Sequence, residues 1–237
     1  MKLDIVIPAY NEEERLGRTL LAYREGLPEA DVRFFVALDR CTDDTASIVK
    51  AHAAQDPRVN LLEFPKLGKG GVLMEGFRHT DAPLVGFVDA DCATPPSEMR
   101  RLAEVAHISD GAIASRYHPA SVLPIKRSFF RNVMTSGGNV IIKRLFKLGY
   151  RDTQCGAKVI KGDVMRAVLP LLSSRDFLFD VDLLIAARRL GFDIKEVPTV
   201  WIDQAGSKVQ KSDALRTLIS AGRLWLHHKV LPIHRSM

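Results

Sequence analysis

Cysteine is scarce in this sequence of 237 residues, and the three present, Cys41, Cys92 and Cys155, stand far apart. There is no CxxC pair and no His/Cys cluster, which argues against a disulfide framework and a zinc site and points to reduced thiols in a cytoplasmic setting. Long apolar runs are also missing. The N-terminal run in MKLDIVIPAY is broken by Asp4 and stops at Pro8, too short for a signal peptide's apolar region. No stretch approaches the roughly 20 apolar residues that crossing a bilayer requires. The chain is therefore expected not to span a membrane, although it can lie on one. Internal repeats, low-complexity tracts and linkers are absent too, which argues for one domain over residues 1–237. His52, His79, His107, His118, His227, His228 and His234 lack ligand spacing and read as surface or structural residues.

What is present is an ordinary globular composition with a basic balance. Lys and Arg number 34 against 28 Asp and Glu, for a net charge of +6 and a pI of about 9.3. Such a balance favours anionic partners. No recognition motif or aromatic-basic platform for nucleic acid accompanies it, so nucleic acid is not an expected partner.

The first half alternates β-rich runs with helical patterns. Strands are predicted at Leu3–Pro8, Val32–Asp39, Val59–Phe64, Leu84–Asp89 and Gly111–Ser115. Helices are predicted at about Glu12–Glu25, from Thr42 toward Ala54 with Asp43 and Asp44 in its first turn, after Lys69, and over Pro96–His107. This alternation implies an α/β fold with a parallel sheet and crossover helices, whose ligands bind beyond the carboxyl ends of the strands. Pro8, Asp39 and Asp89 each close a strand and should gather at one rim. In the second half, Ser128–Leu148 reads as a helix both apolar and basic, Asp152–Lys161 as a loop entering a strand, and Phe179–Leu190 as a helix. A strand at Phe192–Val197 and a helix at Ser212–Lys229 follow. Leu215, Leu218, Ile219, Trp225 and Leu226 alternate there with Lys211, Arg216, Arg223 and Lys229, which suits core packing and a membrane surface equally.

The chemistry concentrates in a few places. Asp89-Ala90-Asp91 sets two carboxylates at i and i+2 where a buried strand ends, exposed at its tip. Hard divalent cations take oxygen ligands, and Mg²⁺ keeps water and substrate phosphates in its shell, so such a pair suits a metal-bound phosphate. A solvated turn is the plain alternative for a lone DxD. Pro8-Ala9-Tyr10-Asn11-Glu12-Glu13 offers a place for a base or ribose, and Asp39 ends the second strand. KLGKGG at Lys66–Gly71 is basic, glycine-rich and placed before a helix whose N-terminus can attract phosphate, though it lacks the spacing of a Walker A loop.

PAYNEE, Asp39, GKGG and DAD occur in the order and spacing of family 2 inverting glycosyltransferases of the GT-A fold, which this chain resembles. Ser115-Arg116, KRSFFRN at 126–132, RDTQCGAK at 151–158, FDVDLL at 179–184, Trp201 and GSK at 206–208 are similar to the dolichyl-phosphate β-glucosyltransferases. The dolichol-phosphate mannosyltransferases are also similar. The resemblance implies a Rossmann-like, mostly parallel sheet flanked by helices. Its halves would be a nucleotide-binding part at 1–115 and an acceptor part at 116–211, followed by an amphipathic helix and tail at 212–237.

By that resemblance Pro8, Ala9, Tyr10, Glu12, Asp39, Lys69, Ala90, Gln154 and Lys208 would hold a nucleotide-sugar donor. Asp89 and Asp91 would bind its diphosphate through Mg²⁺ or Mn²⁺, and Arg116, Arg131, Thr135 and Ser136 would receive the phosphate of a polyprenyl-phosphate lipid acceptor. Asp180 and Asp182 are the candidate catalytic carboxylates beside Asp89 and Asp91; spaced by two, they point to different faces of a helix, so one is expected in the site. Cys155 reads as a small buried residue. The contiguous GSK, with no Arg in Trp201–Ala205, leans toward UDP-glucose over GDP-mannose. The expected setting is peripheral, on the cytoplasmic face of a membrane, with a homo-oligomer or a separate anchoring partner as options. A soluble acceptor, a nucleotidyltransferase and a non-catalytic nucleotide-sugar-binding protein are the alternatives.

Overall fold

The computed structural model describes residues 1–124, 144–202 and 213–230, with 213–218 described by backbone alone. Most of the predicted 128–148 helix, and with it Arg131, Thr135, Ser136 and also Lys208, lies outside the described residues.

Seven strands form one sheet in the order β3-β2-β1-β4-β6-β5-β7. They are β1 (Leu3–Ala9), β2 (Val32–Asp39), β3 (Val59–Phe64), β4 (Leu84–Val88), β5 (Gly111–Ser115), β6 (Ala157–Lys161) and β7 (Ile194–Pro198). The chain winds outward from β1 through β2 to β3, then returns to place β4 on the other side of β1. That reversal opens a crevice at the carboxyl ends of β1 and β4, the usual ligand position in such sheets. One strand departs from the parallel expectation. β6 runs against both β4 and β5, with Val88 beside Ala157. Because β6 starts where β4 ends, the residues leading into β6 lie at the same rim as Asp89.

Helices cover both faces. On one side α1 (Leu16–Gly26), α2 (Thr45–Gln55) and α4 (Pro96–His107) pack on Leu3, Ile5 and Ile7 of β1. On the other, α3 (Lys69–Arg78), α5 (Gly162–Val168), α6 (Phe179–Arg189) and α7 (Asp213–Val230) pack on Val6, Val85 and Phe87. The rings of Phe77, Phe87 and Phe179 meet with centroids 5.8–6.3 Å apart and join α3, β4 and α6. Each such fully buried side chain contributes about 1.5–3 kcal/mol. Asp4, which interrupts the first apolar run, is buried but satisfied: Arg33 donates twice at 2.8 Å, and the amides of Asp81 and Ala82 donate at 3.0 Å.

Two helices begin later than predicted. The chain from Glu12 to Arg15 is a turn, closed by Arg15 donating through Nε and Nη2 to Glu12 at 2.7 Å, and α1 starts at Leu16. Asp43 and Asp44 precede α2 rather than fill its first turn, with Asp44 at the cap and Asp43 accepting from the Thr45 amide at 3.1 Å. Helix α5 was not anticipated. The last helix, α7, is fixed on α6 and its approach: His227 Nε2 lies 3.0 Å from the Leu171 carbonyl, and His228 Nε2 lies 2.6 Å from Asp182 Oδ1. Among the described residues no helix is long and apolar enough to cross a membrane.

Candidate functional site

The rim at the carboxyl ends of β1, β2 and β4 is built from strained backbone. Asn11, Arg40 and Cys92 follow these three strands and have φ of 54°, 55° and 59°. Non-glycine residues held left-handed cost about 1–3 kcal/mol each and cluster at functional sites. The loops after β1 and β2 are stitched together: Asn11 Oδ1 accepts from the Thr42 amide at 2.8 Å, Glu13 Oε2 from the Asp44 amide at 2.9 Å, and Thr45 Oγ1 from the Glu12 amide at 2.8 Å. The loop after β4 is clamped from α1. Thr19 donates to the Ala90 carbonyl at 2.7 Å and Tyr23 to the Thr94 carbonyl at 2.8 Å. Nothing in the apolar spacing of Leu16, Leu20 and Tyr23 signals that second role.

Pro8 and Ala9 end β1 in register with Ala37 and Leu38, so they do reach the rim beside Asp39. Asp39 itself is buried and holds the glycine-rich loop. It accepts from the Leu67 amide at 2.6 Å and the Gly68 amide at 3.2 Å, and Lys66 Nζ lies 2.8 Å away. Lys66 Nζ also stands 3.1 Å from the centroid of the Tyr10 ring, so the expected nucleoside contacts Tyr10 and Asp39 share one cation. The loop does not present an open phosphate cradle. Two amides in the first turn of α3, on Gly70 and Gly71, donate to the Arg175 carbonyl at 3.0 and 3.3 Å. This end of α3 is closed by a backbone carbonyl, and what it delivers to the rim is the Lys69 side chain.

Lys69 reaches the paired carboxylates. Its Nζ lies 2.7 Å from Asp89 Oδ1 and 3.8 Å from Asp180 Oδ2. Burial works against its charge, but Asp89 and Asp180 hold the ammonium well above the usual lysine range. Lys158, fully buried, donates to Asp180 Oδ1 at 2.5 Å and to the Cys155 carbonyl at 2.7 Å. Three carboxylates, Asp89, Asp91 and Asp180, therefore face two ammonium groups. Asp91 is part-buried rather than exposed as expected, and among the described residues its hydrogen-bond donor is the Ala93 amide at 3.0 Å. Burial first, then the charge of Asp89, lifts its carboxyl above the usual carboxylate range. A like-charged pair without full compensation is a receptive place for a cation. No third His, Cys, Asp or Glu completes a metal cage among the described residues, so a bound Mg²⁺ or Mn²⁺ would take its remaining oxygens from phosphate and water.

Gly156 sets where Asp89 stands. Its carbonyl accepts from the Asp89 amide at 3.1 Å, and a Cβ on it would fall 1.8 Å from Asp89 Oδ2. Gly156→Ala must displace that carboxylate. Misplacement of a reacting group by about 1 Å can cost about a hundredfold in rate, so turnover of this variant is expected to fall by about that factor. Near-normal turnover in a steady-state assay would show that Asp89 has no fixed duty.

The other predicted residues are not all brought together. Asp180 faces the Asp89 cluster, whereas Asp182, fully buried, turns the opposite way and accepts from the Ser173 and Ser174 amides at 2.7 and 2.8 Å as well as meeting His228. Of the two, Asp180 is the one placed by the Asp89 cluster, and Asp182 lies apart as a packing anchor. Arg116 is closed off rather than open: Nε and Nη2 donate to Asp152 at 2.7 and 2.9 Å, and the guanidinium lies 5.1 Å from the Trp201 ring. Asp152 is held below the usual carboxylate range by Arg116 despite its burial. Gln154 is half-buried, with its amide donating to Asp152 at 3.2 Å. Glu12 is paired with Arg15. Cys155 is fully buried and its thiol is pushed up to about 12 by that burial, in keeping with an inert packing residue. Lys158 and Gly156, which stand in the RDTQCGAK motif without an assigned role, are placed against Asp180 and Asp89 respectively.

Comparison with known proteins places this rim in context. The model of the family described as glycosyl transferase family 2 matches residues 4–165, a span that ends beyond β6. A dolichyl-phosphate β-glucosyltransferase of Dictyostelium discoideum is 31% identical over 223 residues, covering 87% of this chain and 68% of that protein. An undecaprenyl-phosphate mannosyltransferase of Micrococcus luteus is 31% identical over 209 residues, covering 86% of this chain and 85% of that one. Among solved structures, glucosyl-3-phosphoglycerate synthase from Mycobacterium tuberculosis, in complex with Mn²⁺, UDP-glucose and phosphoglyceric acid, superposes with a TM-score of 0.72 at 16% identity. That match covers 98% of this chain and 81% of the other and establishes the shared fold.

Proposed function

This chain belongs to glycosyl transferase family 2, and from that premise we propose that it moves a hexose from a nucleotide-diphosphate sugar to a polyprenyl phosphate at a membrane surface. UDP-glucose is the favoured donor and GDP-mannose the next, in line with the absence of Arg in Trp201–Ala205 and with the names of the relatives. The observation that carries the reading is the rim where Asp91, part-buried beside Asp89, is held above the usual carboxylate range while Lys69 pairs with Asp89.

In the proposed reaction the acceptor oxygen attacks the anomeric carbon, the bond from that carbon to the diphosphate breaks, and the configuration inverts. Asp89 and Asp91 would hold Mg²⁺ or Mn²⁺ on the diphosphate. A bound divalent cation supplies Lewis-acid stabilisation of the leaving group. Lys69 stands beside Asp89 and adds positive charge where negative charge develops. Asp180 is a poor general base, since it is 2% exposed and bound by Lys158 with Lys69 close by. A phosphate acceptor suits that arrangement. Its second pKa is near 6, so at neutral pH it is largely dianionic and needs no proton removed, whereas a sugar hydroxyl needs a base.

The test is incubation with Mn²⁺ or Mg²⁺, labelled UDP- and GDP-sugars and polyprenyl phosphate, followed by extraction into organic solvent. Label from UDP-glucose is expected in the organic phase. Sugar released to water with no glycolipid formed would reject the lipid acceptor, and an unchanged donor panel would reject the transferase reading altogether.

A further inference from the structure

Helix α7 has two unlike faces. Ala221 and Leu224 are 3% exposed and join the core on one side, and His228 stands between Asp182 and Arg189 Nη1, which lies 3.1 Å from its Nδ1. An Nε2–H donated to Asp182 and an Nδ1 accepting from Arg189 satisfy both ring nitrogens and fix the helix against rolling. The opposite side carries Ile219, Leu226 and Val230 at 51%, 56% and 77% exposure, on one stripe with Arg223. Trp225, 38% exposed, flanks that stripe with Lys229 Nζ 4.7 Å above its ring. No Asp or Glu occurs from Ile219 to Val230.

We propose that this outward face of α7 is a lipid-contact surface that lies flat on an anionic bilayer. Large apolar side chains flanked by cations and Trp match the acyl–headgroup boundary, where apolar groups sink a few ångströms and Arg and Lys meet lipid phosphate. A second copy of the chain fits less well. It would bring the cations Arg223 and Lys229 of two copies to one apolar seam, where like charges repel. The proposal deepens the lipid-acceptor reading and rests on it for its purpose, since a lipid-borne phosphate must be met at the membrane; the binding itself is separately measurable.

Co-sedimentation with vesicles tests it. The whole protein is expected to bind vesicles of phosphatidylcholine mixed with phosphatidylglycerol, to bind phosphatidylcholine alone weakly, and to lose affinity as salt rises. Ile219→Glu with Leu226→Glu should lower vesicle binding at least about tenfold, with melting temperature and nucleotide binding unchanged because both residues stand on the exposed side of the helix, 51% and 56% exposed. Undiminished binding in that variant overturns the proposal, as does a wild-type protein that ignores anionic vesicles. So does a wild-type dimer, seen in sedimentation equilibrium, that the variant abolishes. Normal vesicle behaviour without glycolipid synthesis from detergent-dispersed acceptor would leave the surface standing and remove the activity.

Discussion

Asp91→Ala is expected to lower turnover about a thousandfold, the effect of losing about 4 kcal/mol of metal-assisted stabilisation of the leaving group. Its melting temperature should stay level or rise slightly. In the folded protein burial and Asp89 disfavour ionised Asp91, so at neutral pH its charge costs stability, and alanine removes that cost. The same shift has a sign in pH. A carboxyl lifted above its ordinary range gains its proton early as the medium is acidified, so metal-dependent donor binding should weaken on the acid side before an ordinary Asp would protonate. Calorimetric titration of nucleotide sugar with Mn²⁺ over a pH series, alongside thermal melts of both proteins, checks all three statements. A variant that keeps its turnover ends the metal assignment; one that merely unfolds assigns Asp91 to structure.

Lys158→Met should be the most destabilising of the changes considered. Its ammonium is fully buried and paired with Asp180, and removal of one partner from a buried pair typically costs about 3–5 kcal/mol. For a chain of this size that is about 6–20 °C in melting temperature. Buried pairs can often be exchanged for apolar residues of like volume with little loss, so Lys158→Met combined with Asp180→Leu should recover much of the stability. It should not recover activity, because Lys69 then loses the second carboxylate that holds it beside Asp89. Thermal melts and turnover on the two variants separate the roles. A double variant as unstable as the single one would mean that packing, not charge, is what Lys158 supplies.

The parts legible in the sequence were those whose partners lie close along the chain. The strands at 32–39, 59–64 and 111–115 and the helix at 96–107 follow from local runs of apolar or β-branched residues and from Pro96. Asp89 and Asp91 are two residues apart, so their shared place was visible at once. What stayed hidden depends on distant partners. A strand's alternation is the same whether it pairs parallel or antiparallel, so nothing in AKVIK reveals that β6 runs backwards. KLGKGG looks like a phosphate loop because its glycines free the amides, but Asp39 and the Arg175 carbonyl already take them. Asp180 and Asp182 look alike in FDVD, and the helix turns them to opposite sides, one to Lys158 and one to His228. The late starts of α1 and α2 go with the local Glu12–Arg15 and Asp43–Thr45 bonds and with the Glu13 and Thr45 side chains that bind across the two loops.

The reversed strand also bears on how the molecule comes into being. As the chain leaves the ribosome, β1 to β4 can pair among themselves, but β4 keeps one bare edge until residues 157–161 have been made, since β6 is its neighbour on that side. Such an edge invites pairing with other chains. A nascent fragment ending at 115 holds both acidic residues of the DAD motif, yet neither the glycine nor the buried lysine that set their surroundings. The rim around Asp89 is therefore completed late in synthesis, and a cut at that apparent midpoint would leave it without Gly156 and Lys158.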